Sequence, residues 1–179
     1  MSIRDFSLRP FPADSPVPDI KITGSIDRNS NVLSVNFELL GPCAELIISP
    51  LSDKPTRTNG LWEETCFELF LGMKNSSAYW EFNLSPAGHW NVYRFNAYRQ
   101  GMQEEPAITS LPFRTEHKSD SFRLSMEVDL NEIVPADQVL EAALSAVVKA
   151  INGKLSCWAL VHPGTQADFH RRDGFIIAL

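Results

Sequence analysis

The sequence predicts an all-β protein, an antiparallel β-sandwich. Three observations carry that expectation. Apolar and polar residues alternate in nine or ten short runs. Turn-forming clusters separate the runs every 8–12 residues. Little of the chain has convincing helical periodicity. A sandwich buries one face of each sheet and leaves the other free to be polar.

Residues 1–18 contain Pro10, Pro12, Pro16 and Pro18. Proline lacks the N–H that a central strand needs, so this segment is expected as an extended lead-in. One domain is expected over 19–179. Its first runs, 20–26 and 31–40, alternate cleanly and flank Asp27-Arg28-Asn29-Ser30-Asn31, which has turn chemistry. They predict a hairpin. A short strand is expected over 44–49, then a loop over 50–61.

The runs 65–72, 78–84 and 90–98 follow. The second and third are joined by Ser85-Pro86-Ala87-Gly88-His89, which predicts another hairpin. Residues 114–120 read as a polar loop. Residues 121–130 alternate from Phe122 to Leu130. The run 138–151 is rich in Ala and Leu, good helix formers. Asn152-Gly153 follows directly, a strong hairpin signal. Roughly 142–151 therefore reads as a strand paired with 154–161, with a helix over 138–146 as the alternative. A last strand is expected over 175–179.

The length of 179 residues suits one domain. With 44% hydrophobic and 21% charged residues, the chain should fold rather than stay disordered. Lys and Arg number 16 against 22 Asp and Glu, a net charge of −6, which disfavours a nucleic-acid partner. The N-terminus lacks the apolar run of a signal peptide, and no stretch approaches a membrane span. A cytoplasmic location with no membrane partner is expected. Cys43, Cys66 and Cys157 form no CxxC pair, and their odd number predicts reduced thiols. Gly-x-Ser-x-Gly, Walker A and GxGxxG patterns are absent.

The chain has 18 Phe, Trp and Tyr residues, and three of four Trp and all three Tyr fall between 62 and 98. Alternation sorts this cluster into two faces. Phe67, Trp80 and Phe82 point to the core, and Phe95 is assigned with them. Tyr79, Glu81 and Asn83 share the opposite face with Glu68 and Cys66, and Trp90 and Arg94 are expected to join them. Carboxylates, amides and Arg beside aromatic rings suit a small polar ligand such as a sugar. Carboxylates and Arg bind its hydroxyls, and a ring covers its C–H face. A solvated sheet face with cross-strand ion pairs is the competing reading.

Leu61-Trp62-Glu63-Glu64-Thr65-Cys66-Phe67-Glu68-Leu69-Phe70-Leu71 resembles the signature run of DOMON-like domains of the carbohydrate-binding-module-family-9-like type. The runs 79–95, 158–163 and 168–175 are similar to later parts of a bacterial stand-alone DOMON-like subgroup. The resemblance covers about residue 20 to the end. It implies an antiparallel sandwich, immunoglobulin-like or jelly-roll in type, that binds a ligand without catalysis. It also implies that Trp62 stacks on a sugar and Glu68 accepts hydroxyl hydrogen bonds. The second ring of a sugar sandwich has Phe169 or Phe175 as its nearest counterpart. His162, Asp168 and His170 complete the candidate site, the last two as a hydrogen-bonded Asp-x-His pair. Haem and a structural calcium stay open as cofactors, with no clear ligand set for either. A haem-binding electron-transfer module and a glycoside-processing enzyme built on Glu68 and Glu81 are the alternatives.

Overall fold

The computed structural model describes residues 3–14 and 16–179. They form twelve strands: β1 (Arg4–Pro10), β2 (Lys21–Asn29), β3 (Val32–Leu40), β4 (Cys66–Met73), β5 (Tyr79–Leu84), β6 (Trp90–Phe95), β7 (Gln103–Glu104), β8 (Phe113–His117), β9 (Ser121–Asp129), β10 (Leu140–Lys149), β11 (Leu155–Ala159) and β12 (Ile177–Ala178). Every paired neighbour is antiparallel, in the order β7-β6-β5-β4-β10-β11-β1-β2-β3-β9-β8, with β12 on β10. The sheet curls into two facing layers. The front layer runs from β7 to β11, the back layer from β2 to β8.

The layers meet through their alternating apolar faces. Ile22, Val35, Phe37 and Leu124 of the back layer share one buried cluster with Phe67, Leu69 and Phe82 of the front. Phe67 sits at the seam: its ring centroid is 5.2 Å from Phe37 and 5.4 Å from Phe122. Burying a side chain of that size stabilises the fold by roughly 1.5–3 kcal/mol.

The proline-rich start differs from the expected lead-in. Arg4–Leu8 pair with β2, and Arg9 and Pro10 pair with β11, so β1 joins the two layers. Pro10 stands at the strand's last position, where the missing N–H is tolerated. Residues 44–49 form no strand. Cys43–Glu45 is a 3-10 turn, and Leu46 makes a single bridge to Ala150. Gly41, at φ 137°, and Pro42 turn the chain before it can extend.

Residues 140–149 are a strand, and the helical alternative falls. Pairing on both edges, with β4 and β11, outweighs the helix propensity of Ala and Leu. At Asn152-Gly153, Ala150 and Lys154 are bridged by Ala150 N–H donating to the Lys154 carbonyl at 2.9 Å. The loop is thus three residues, closed by Gly153 at φ 83°. Part of the expected polar loop at 114–120 is strand β8, which lies on the sheet edge beside β9. The last strand is shorter than expected, confined to Ile177 and Ala178.

The outer face of the front layer is also covered. The segment 160–176 lies over it and builds a second apolar cluster from Phe70, Tyr79, Tyr93, Phe95, Ala143 and Phe175, with Phe169 packed against it. Between this cluster and the loop that carries Trp62, the cover is incomplete.

Candidate functional site

That gap is a cavity of about 450 Å³ on the outer face of the front layer. Its size is that of a small-molecule site. Glu68 and Glu81 line it together with Trp62, Phe70, Phe95 and Phe169. Arg99, His170, Met102 and Cys157 also reach it.

Strand register explains the arrangement. Phe70, Glu81 and Tyr93 stand in one row across β4, β5 and β6. Ser145, Glu68 and Asn83 stand in the next row, across β10, β4 and β5. Glu68 and Glu81 are therefore diagonal neighbours on one face. Phe169 packs edge-on to Phe70 at 6.4 Å, and Trp62 packs edge-on to Tyr93 at 5.9 Å. Phe70 and Tyr93 are the two cross-strand neighbours of Glu81. Trp62 and Phe169 are thus seated on the residues that flank Glu81. A 3-10 turn, Leu61–Glu63, carries Trp62, and Gly60 precedes it at φ 72°, a backbone conformation that favours glycine. Trp62 keeps 37% of its surface exposed.

The two carboxyl groups are almost fully buried, Glu68 at 2% exposure and Glu81 at 4%. Glu68 Oε2 accepts from Ser145 Oγ at 3.1 Å. Glu81 Oε1 accepts from Asn83 Nδ2 at 2.9 Å. Burial pushes Glu68 up to about 8, helped by repulsion from Glu81, and pushes Glu81 up to about 7. The two titrate as a pair that holds protons into the neutral range.

His170 sits beside them. The Tyr79 hydroxyl accepts from the Arg99 backbone N–H at 3.2 Å and lies 2.8 Å from His170 Nδ1. Donating its one proton to Nδ1 satisfies the phenol fully and leaves the imidazole proton on Nε2. Nε2 is 3.8 Å from Glu81 Oε2. Burial, then the charge of Arg99, lowers His170 to about 4. The His170–Glu81 approach is therefore between neutral groups and too long for a hydrogen bond. Arg99 Nη2 donates to Asp168 Oδ1 at 2.9 Å, and Tyr98 OH also donates to Asp168. That carboxylate offsets the one Arg charge that lines the cavity among the described residues.

Of the expected residues, Trp62, Glu68, Glu81 and His170 line the cavity. Tyr79 and Asn83 lie fully buried beneath it and orient His170 and Glu81. Asp168 borders an adjoining groove, and its oxygen takes the His170 backbone N–H at 3.2 Å rather than the ring. Trp90, Arg94 and His162 are placed elsewhere. Trp90 belongs to the inner core, beneath the Arg57 guanidinium at 4.6 Å. Arg94 pairs with Trp80 and so lies on the inner side of β6, exposed at its edge. His162 packs on Phe11 and its Nε2 lies 2.8 Å from the Arg9 carbonyl oxygen. Phe70 belonged to the predicted outer face by parity with Glu68. Phe95, expected in the main core, faces the second cluster on the outer side and lines the cavity. Arg99, Met102 and Cys157 carry no motif that marks them.

Solved structures share this architecture. A candidate carbohydrate-binding protein from Bacteroides uniformis ATCC 8492 aligns with a TM-score of 0.72 and 10% identity, over 98% of this chain and 84% of that one. A family 9 carbohydrate-binding module from Caldicellulosiruptor kristjanssonii in complex with cellotriose aligns with a TM-score of 0.56 and 12% identity, over 91% and 75%. The chain has a CBM9-like fold. A family 9 module from the same organism in complex with glucose gives a TM-score of 0.53 and 13% identity, over 84% and 72%. No family model and no curated protein matches the sequence. At such low identity the CBM9-like fold is common ground, and the residues of the cavity must speak for themselves.

Proposed function

We propose that this protein is a non-catalytic binding domain for a small carbohydrate. The ligand occupies the cavity over Glu68 and Glu81. One observation carries the reading: two buried carboxyl groups open into a cavity whose rings, Trp62 and Phe169, are seated on either side of Glu81. Flat aromatic faces suit the C–H face of a pyranose, and the carboxyl oxygens suit its hydroxyls. The fold shared with modules solved with glucose and cellotriose supports the same choice.

Glu68 and Glu81 rise from the same side of the cavity, on adjacent strands. Glycosidic hydrolysis needs two carboxyl groups flanking the scissile bond. Their placement therefore favours holding a sugar over cleaving one. Isothermal titration against a panel of mono- and disaccharides tests the proposal. Binding to the native protein, weakened at least tenfold in Trp62→Ala and in Glu81→Ala, is expected. A panel with no binder, or binding indifferent to both substitutions, overturns it.

A further inference from the structure

The polar groups open to the cavity are unbalanced. Glu68 Oε2 and Glu81 Oε1 are held by Ser145 and Asn83. Among the described residues, each carboxyl group keeps its other oxygen free of a protein hydrogen bond. Opposite these acceptors the cavity offers little: the His170 ring N–H, and Arg99, whose charge is offset by Asp168. The walls are Trp62, Phe70, Phe95 and Phe169. A neutral hydroxyl would satisfy one such oxygen but brings no charge to offset the ionisation that burial opposes. An ammonium group compensates it, and ring faces attract the same cation. Among the described residues, no three His, Cys, Asp or Glu side chains gather to hold a metal ion, so an organic cation suits the pair better.

Resting on the carbohydrate reading above, we infer that the cavity selects a ligand bearing a protonated amine, an amino sugar rather than its neutral parent. The ammonium donates to the free oxygens of Glu68 and Glu81, and the ring stacks between the aromatic walls. At neutral pH the carboxyl pair holds a proton because burial opposes its full ionisation. Binding exchanges one proton for the cation: R–NH₃⁺ enters, one carboxyl group of the pair ionises, and its H⁺ leaves to solvent. The other groups facing the pair do not supply this exchange. The Cys66 and Cys157 thiols and the Tyr79 and Tyr93 phenols are pushed up by burial and stay neutral. His170 is already neutral, and Arg99 and Asp168 stay ionised against one another.

The test is calorimetry at pH about 6.5 with four probes: glucosamine, glucose, cyclohexylamine and cyclohexanol. Glucosamine is expected to bind at least about tenfold tighter than glucose, since a charged hydrogen bond is worth more than a neutral one. Repeating the titration in buffers of different ionisation enthalpy should show proton release with glucosamine and none with glucose. Glu68→Gln and Glu81→Gln, nearly isosteric and without buried charge, should remove that preference. Circular dichroism of both variants confirms that they fold. Glucose binding as tightly as glucosamine overturns the inference and leaves the carbohydrate reading standing. Cyclohexylamine binding while neither sugar binds upholds the ammonium preference and overturns the carbohydrate reading. Silence from all four probes overturns the inference, and the wider sugar panel then decides the carbohydrate reading.

Discussion

Replacing Glu68 with Gln should stabilise the protein at alkaline pH and leave it almost unchanged near pH 5. Glu68 rises from an ordinary value of 4.5 in the unfolded chain to about 8 in the folded one. Between these values the folded state binds the proton and the unfolded state does not. Stability then falls as pH rises, by about 1.4 kcal/mol per pH unit for one proton. The difference of 3.5 units sets a ceiling of about 5 kcal/mol, fully lost only above pH 8. Glu81, raised to about 7, adds a loss of the same sign over a lower window. His170 acts in the opposite direction. Its folded value of about 4 lies below the usual 6.5, so its contribution is lost as pH falls from 6.5 through 4. The native protein should therefore be most stable on the acid side of neutrality. Because the two carboxyl groups share their protons, removing one lowers the other, and Glu68→Gln should gain roughly 3–5 kcal/mol at pH 9. Urea melts at half-unit intervals from pH 5 to 9 measure this directly. Wild-type and Glu68→Gln curves that run parallel across the range would refute the reasoning.

Three further outcomes follow from the geometry. Phe169→Ala should weaken ligand binding by about 1–3 kcal/mol, as loss of an aromatic anchor does, while Phe175→Ala, on the same segment but not lining the cavity, should chiefly lower the melting temperature; calorimetry and thermal melts separate the two. Gly24→Val, a substitution that strand propensity alone would welcome, should prevent folding, because its Cβ would stand 1.9 Å from the Asn36 carbonyl oxygen and 2.4 Å from the Phe6 ring. Circular dichroism reads the result. A chromogenic aryl glycoside should bind without releasing its aglycone over hours, since both carboxyl groups lie on one side of the ligand; steady release that disappears in Glu81→Gln would contradict this.

The sandwich was legible because burial there is one-sided. In β3 and β9, the inner residues are apolar and, apart from Val32 and Leu40 at the two ends of β3, the outer ones polar, so a two-residue period reads both strand and face. The same logic put Glu68, Glu81 and Asn83 on one outer face. It failed on β6, where Trp90 and Val92 face the main core while Tyr93 and Phe95 face the second cluster. With apolar residues on both sides, the period loses its contrast. A shift of one residue then moved Trp90 and Arg94 to the wrong face.

The loops were legible least, and for a different reason. Arg99 reaches the cavity from a tight turn in which its own φ is 52°, and Phe169 reaches it from a segment with no period at all. Neither position follows from neighbours in sequence. Yet both are fixed by the legible part. Tyr79, an outer-face residue of β5, accepts the Arg99 backbone N–H and meets the His170 ring, one residue from Phe169. Phe70, an outer-face residue of β4, receives Phe169 itself. The sheet face that alternation reveals thus serves as a template on which the unreadable segments settle. An apolar outer face should have been the signal. Phe70 and Tyr79 sit where a solvated sheet would place polar side chains, and a buried outer face requires something to cover it. Here the cover is the C-terminal segment, and the place it leaves open is the site.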